Sequence, residues 1–222
     1  MSFAFGDTYL PNMDDLRKWL KDYSELSPKE WTALSKALER VQIGKNERFQ
    51  TAGRIAGRIG FLQSGAMYAR YADEQRKHRV AYFNMTTVNR IVCDLQAFTA
   101  GGRATMDIKA VEPCDLFVLD REQLYSLYDQ HQGIERLGRK LAEYSYARAM
   151  DRIGRMEKSN EERVADLRKF YPEVIRTFTR SQVGEYLNTD KHEVSRALTQ
   201  LNGHAKSDAK TRSRPARPPG PL

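Results

Sequence analysis

Four side chains near the C-terminal end carry the clearest chemistry: Lys191, His192, Ser195 and Arg196. Each ends in a group that can donate a hydrogen bond. Their offsets of one, four and five residues place them on one face of a helix, near its start. In a helix-turn-helix that face enters the major groove, where side chains meet base edges.

The stretch that must hold this face is TRSQVGEYLNTDKHEVSRALTQL, residues 179–201. It reads as two helices, 180–187 and 190–201, joined by Asn188-Thr189. Gly184 falls where the helices cross, and a side chain larger than methyl would hold them apart. Asn188 falls where the turn needs a left-handed residue, which Asn tolerates better than most. Val183, Leu187, Val194 and Leu198 form a shared apolar seam at helical spacing. Asp190 is placed to cap the second helix, with Glu193 completing a capping-box-like pattern. The same spacing also occurs in an ordinary helical hairpin within a bundle.

Charge is distributed to match. The chain has 222 residues and a net charge of +8. Residues 1–133 hold 18 Lys and Arg against 17 Asp and Glu, a net +1, whereas residues 134–222 hold 19 against 12, a net +7. A basic C-terminal part suits phosphate contact. No apolar run approaches the length of a membrane span, and the acidic N-terminus lacks a cleavable apolar segment, so a cytoplasmic protein without membrane contact is expected. Two cysteines, Cys93 and Cys114, are too few for a four-cysteine cluster and read as reduced structural thiols.

Along the chain, Leu16, Trp19, Leu20 and Tyr23 share one helical face. Ser27-Pro28-Lys29-Glu30 opens a second helix, with Ser as cap and Glu reaching back. From about 41 to 120 the pattern turns to short strands at 61–62, 66–71, 79–83, 90–93, 105–110 and 115–119, punctuated by glycines. This predicts a sandwich or barrel of jelly-roll type and an α+β chain overall. A short helix at 121–128 leads to a long one from about 134. Ile134, Leu137, Leu141 and Tyr144 form one stripe on it; Ala142, Tyr146, Ala149, Ile153 and Met156 form another. Two stripes imply two partners, read as the barrel and the same helix of a second subunit, with packing of both stripes inside one subunit as the alternative. The expected dimer contacts are Leu141, Tyr146, Ala149, Ile153 and Met156. Expected boundaries are 1–133 for the N-terminal helices and barrel, 134–157 for the dimerisation helix, 158–203 for the reader, and 204–222 for a disordered basic tail.

This order of parts resembles the Crp/Fnr family of bacterial transcription regulators, from about Leu26 to Leu201. FLQSG (61–65) is similar to the family's strand-then-glycine turn. TRSQVGEYLN followed by VSR is similar to its reader pattern, with Gly184 in place of Ala and Asn188 in place of Gly. EERVADLRKFYPEV resembles the segment before the reader in a divergent, Bacteroidetes-type branch. The resemblance implies a homodimer on a two-fold related double-stranded DNA site, with RNA polymerase a candidate further partner. Its base-contacting positions fall on Lys191, His192, Ser195 and Arg196. Arg196 is the expected bidentate guanine reader. Thr179, Arg180 and Ser181 are the expected phosphate anchors.

The family often binds a cyclic nucleotide inside the barrel. The matching segment here is VCDLQAFTAGGRATMDIKA, 92–110. Cys93 stands where the family has Gly, Asp94 where it has Glu, and Ala104 where it has Arg. Arg103 is one residue early, which on a strand turns a side chain to the other face unless a bulge follows Gly101-Gly102. Without an inward guanidinium a buried cyclic phosphate has no countercharge, so no tight cAMP binding is expected. Asp94, Arg103 and Thr105 remain candidates to line the mouth of a pocket for another effector, the alternative being that Asp94 and Arg103 are surface charges. No cofactor, metal or catalytic residue is expected. A jelly-roll enzyme would need a His-rich metal set, whereas His78, His131, His192 and His204 are scattered. The remaining alternative is a ligand-sensing or scaffold protein whose helix-turn-helix contacts protein.

Overall fold

The computed structural model describes residues 13–208, and side chains as far as residue 202. The chain divides into an N-terminal unit ending at Glu157 and a C-terminal unit beginning at Lys158. Among the described residues no helix is long and apolar enough to cross a membrane.

The N-terminal unit begins with α1 (Met13–Lys21) and α2 (Pro28–Ala37). Ser27 and Glu30 close the expected capping box at the start of α2. Eight strands follow: β1 (Glu39–Ile43), β2 (Arg48–Gln50), β3 (Arg58–Ser64), β4 (Ala66–Ala72), β5 (His78–Met85), β6 (Ile91–Val92), β7 (Asp107–Ala110) and β8 (Cys114–Asp120). Helix α3 (Leu95–Ala100) interrupts them between β6 and β7. They form two antiparallel four-stranded sheets in the orders β1-β8-β3-β6 and β2-β7-β4-β5. That interleaving of eight strands is the jelly-roll arrangement.

Strand β8 shows why its sequence is almost wholly apolar. Side chains alternate between the faces of a strand. Leu116 and Val118 enter the core between the sheets, with Phe49, Leu62, Met67 and Ile108. Phe117 and Leu119 face the other way, into a second core with Leu16, Leu20, Leu34, Leu124 and Ile134 from the helices. Each such side chain contributes roughly 1.5–3 kcal/mol by leaving water. Gly65 turns β3 into β4 with φ of 91°, and a Cβ there would lie 2.4 Å from the carbonyl oxygen of Pro113. The glycine turn expected after FLQS is therefore required by both backbone and space.

Helix α4 (Arg121–Gln130) and helix α5 (Gln132–Arg155) complete this unit. Ile134, Leu137 and Leu141 of α5 are buried against the helical core. Leu141, grouped by sequence with the dimer contacts, thus faces its own domain; only 7% of it is exposed. Its place in the first apolar stripe decides its direction. Tyr146, Met150 and Ile153 instead stand exposed on α5, at 67%, 43% and 61%. Two arginines attach this half of the helix to the barrel. Arg148 donates to the Val88 carbonyl at 2.7 Å, and Arg152 donates to the carbonyls of Val80 and Ala81 on β5. Val80 and Ala81 lie on β5, an edge strand of its sheet.

The C-terminal unit is helical: α6 (Asn160–Phe170), α7 (Pro172–Thr177), α8 (Arg180–Leu187) and α9 (Lys191–Asp208). Its core contains Val164, Leu167, Val174, Phe178, Val183, Leu187, Val194, Ala197 and Leu198. Helix α9 runs on to Asp208 rather than stopping at 201, so the first residues of the expected disordered tail are helical. The rest of that tail lies outside the described residues.

Candidate nucleic-acid interface

The C-terminal unit holds α8 and α9 together through the residues the spacing singled out. Asn188 closes α8 in the left-handed region, with φ of 56° and ψ of 43°. The Thr189 N–H donates back to the Gly184 carbonyl at 2.9 Å. A Cβ on Gly184 would lie 2.8 Å from the Thr189 carbonyl oxygen and 3.1 Å from the Asp190 carbonyl carbon. The crossing is therefore tighter than expected: even a methyl group requires backbone to shift.

Asp190 caps α9, accepting from the N–H groups of His192 at 2.7 Å and Glu193 at 3.0 Å. The Glu193 bond, then that of His192, holds its carboxyl below the usual carboxylate range. The stabilisation from this cap is accordingly present at neutral pH and lost as acid protonates Asp190. Glu193 does not complete a capping box with Asp190; its carboxylate pairs with the Arg196 guanidinium at 2.5 Å.

Lys191, His192, Ser195 and Arg196 are all exposed on α9, opposite buried Val194, Ala197 and Leu198. The Ser195 hydroxyl donates to the Lys191 carbonyl, leaving its oxygen lone pairs outward. The Arg196–Glu193 pair is a surface contact, worth about 0–1 kcal/mol, so the guanidinium is readily exchanged onto another acceptor. Thr179 caps α8 in a full capping box with Gln182. Arg180 donates to the Ile175 carbonyl, and the Ser181 hydroxyl to Glu185. All three remain exposed at the helix start.

One positioning residue escaped sequence reading. Arg163 of α6 donates to the Leu187 carbonyl at 2.6 Å and to the Asn160 side chain. It occupies the last carbonyl of α8 and ties it to α6. A contact spanning 24 residues has no local signature.

The barrel candidates separate. Asp94 is 2% exposed and caps α3. One carboxylate oxygen accepts from the Ala97 N–H at 3.3 Å; the other accepts from the Thr105 N–H at 2.7 Å and hydroxyl at 2.9 Å. Arg103 does not join them. It is exposed and donates to the Gly53 carbonyl at 2.9 Å. The donors of Thr105 are thus engaged by the chain's own anion, and no bulge brings Arg103 to them. Asp94→Ala is expected to lower stability by about 1–3 kcal/mol, because a cap is lost and the N–H groups of Ala97 and Thr105 lose their acceptor. Urea unfolding checks it; an unchanged midpoint would remove Asp94 from this role. Cys93 and Cys114 are free and buried. Burial pushes the Cys114 thiol up to about 12 and the Cys93 thiol higher, so both stay protonated at neutral pH. Among the described residues no three His, Cys, Asp or Glu side chains gather as metal ligands.

No protein-family model matches the sequence, and no curated protein matches it. Solved structures match by fold. FixK2 from Bradyrhizobium japonicum is similar with a TM-score of 0.64 and 19% identity, over 76% of this chain and 86% of that one. A transcriptional regulator of the Crp/Fnr family from Eubacterium rectale gives 0.63 and 13%, over 81% and 85%. The c-di-GMP-responsive global regulator CLP of Xanthomonas campestris gives 0.60 and 12%, over 81% and 93%. The chain therefore has the fold of these regulators, barrel and helical C-terminal part alike.

Proposed function

We propose that this chain is a Crp/Fnr-type transcription regulator that reads a two-fold related DNA site as a cytoplasmic homodimer. It acts without catalysis and without cAMP, and RNA polymerase is a candidate further partner. The observation that carries the reading is the exposed row Lys191, His192, Ser195 and Arg196 on α9, behind a turn that has left-handed Asn188 and tightly packed Gly184. The likeness of fold to solved regulators supports it. The exposed apolar side chains of α5, Tyr146, Met150 and Ile153, with Ala149 between them, support pairing with a second copy. Met156 is half-buried at the end of the same helix. The engaged carboxylate of Asp94 and the outward Arg103 argue against a cyclic phosphate in the barrel.

Arg196→Ala is expected to cost about 1–3 kcal/mol at a specific site and to relax preference at one base pair. The check is a binding titration against a set of singly substituted operators. Equal weakening on all sequences would remove Arg196 from base reading. Calorimetric titration with cAMP is expected to show no binding; saturable heat would overturn that part of the proposal. Affinity should also fall steeply with salt, which distinguishes phosphate contact from a helix-turn-helix that binds protein.

A further inference from the structure

A solvent-open cleft of about 370 Å³ lies outside the barrel interior, between the helix-facing side of the β1-β8-β3-β6 sheet and helices α3, α4 and α5. Small-molecule pockets span roughly 300–1,000 Å³. Ile59, Phe61 and Ile91 form its floor, and Leu124 and Leu137 are among its walls. All five are buried and apolar.

Of the half-buried polar side chains in the lining, Tyr128 is uncommitted. The Tyr128 ring lies over α5 because residue 138 is glycine; a Cβ there would fall 2.0 Å from the phenol oxygen. The Tyr128 hydroxyl has no hydrogen-bond partner among the described residues, whereas the hydroxyls of Ser145 and Thr99 donate to the carbonyls of Leu141 and Leu95. Burial pushes the Tyr128 hydroxyl up to about 12, so it remains a donor at neutral pH. Of the two charged groups in the lining, Arg139 is already paired with Glu143 at 2.5 Å, so an anionic head group would find no free countercharge and would be costly to leave unpaired. Glu135 is exposed, and a cationic head group paired with it there would gain only about 0–1 kcal/mol.

We propose that this cleft binds a medium-chain aliphatic molecule with one uncharged oxygen at its end, which accepts from the Tyr128 phenol. The site touches α3, which Asp94 caps, and α5, so such a molecule would contact both the barrel loop and the long helix. The binding claim is independent of the DNA-binding reading and is tested without DNA.

The experiment is a titration of the full chain, labelled at isoleucine methyl groups, with 1-decanol, decanoate and decylamine, followed by nuclear magnetic resonance. With decanol, saturable shifts are expected at Ile59, Ile91 and Ile134, and none at Ile108 between the sheets. Tyr128→Phe should weaken decanol about tenfold, the factor that corresponds to one hydrogen bond. Thr99→Trp, at an exposed position in the lining and away from the α5 stripe, should block binding while the methyl spectrum keeps its dispersion. Shifts centred on Ile108, decanoate or decylamine binding as tightly as decanol, equal affinity in both variants, or no saturable shift would each overturn the proposal.

Discussion

Ile153→Glu is expected to leave the protein monomeric and to reduce affinity for a site with two half-sites by roughly a hundredfold or more. Ile153 is 61% exposed on α5, in line with Tyr146 at 67%. These aligned apolar side chains are the surface proposed above to pair with a second copy. A carboxylate in that seam would lose its water without a free partner, since neighbouring Arg152 is turned to the carbonyls of β5 and Arg155 pairs with Asp151. The fold of the barrel should survive, because the position is exposed in the single chain. The loss of DNA affinity follows because each half-site alone binds weakly and the second contact is intramolecular only in a dimer. Sedimentation equilibrium and a titration with one- and two-half-site duplexes check both parts. A variant that sediments as a dimer would remove this stripe from the interface.

The second large effect is at Gly184. Gly184→Leu is expected to abolish sequence-specific binding and to destabilise the C-terminal unit by about 1–3 kcal/mol or more. The obstacle is backbone rather than a flexible side chain: the Thr189 carbonyl oxygen would lie 2.8 Å from the new Cβ. Pushing α9 away from α8 tilts the row from Lys191 to Arg196, on whose orientation the proposed base contacts depend. Gly184→Ala should fall between wild type and Leu. Guanidinium unfolding monitored by circular dichroism, with binding in parallel, measures the series. Full specific binding by the Leu variant would show that the crossing does not set the reader.

The helix-turn-helix was the most legible part of the chain because its constraints are local. Asn188 and the seam of Val183, Leu187, Val194 and Leu198 act within a few residues of one another. So does the Ser27 capping box. The strands were legible in outline where both faces are buried, as in β8. Strand β1 was missed because ERVQI is largely exposed and reads as a charged segment. Strand β2 is three residues long, and α3 and α7 are six each, too short for a periodic signal. The C-terminal extension of α9, NGHAKSD, has no apolar repeat. What sequence reading could not reach was long-range: Arg163 on the Leu187 carbonyl, and the Glu30 carboxylate accepting from the Gly133 N–H at 2.7 Å across 103 residues. The direction of Leu141 depended likewise on which stripe the core claimed. The pairing of Asp94 with Thr105 depends on α3, whose six residues carry no periodic signal.

The central claim is that α9 reads DNA sequence in a two-fold dimer. Its most direct test is selection of bound fragments from random duplex DNA by the purified full chain, without added ligand, at physiological salt. The account predicts recovery of an inverted repeat with half-sites about one helical turn apart. Recovery of no motif, with Arg196→Ala binding the same pool equally well, would contradict it.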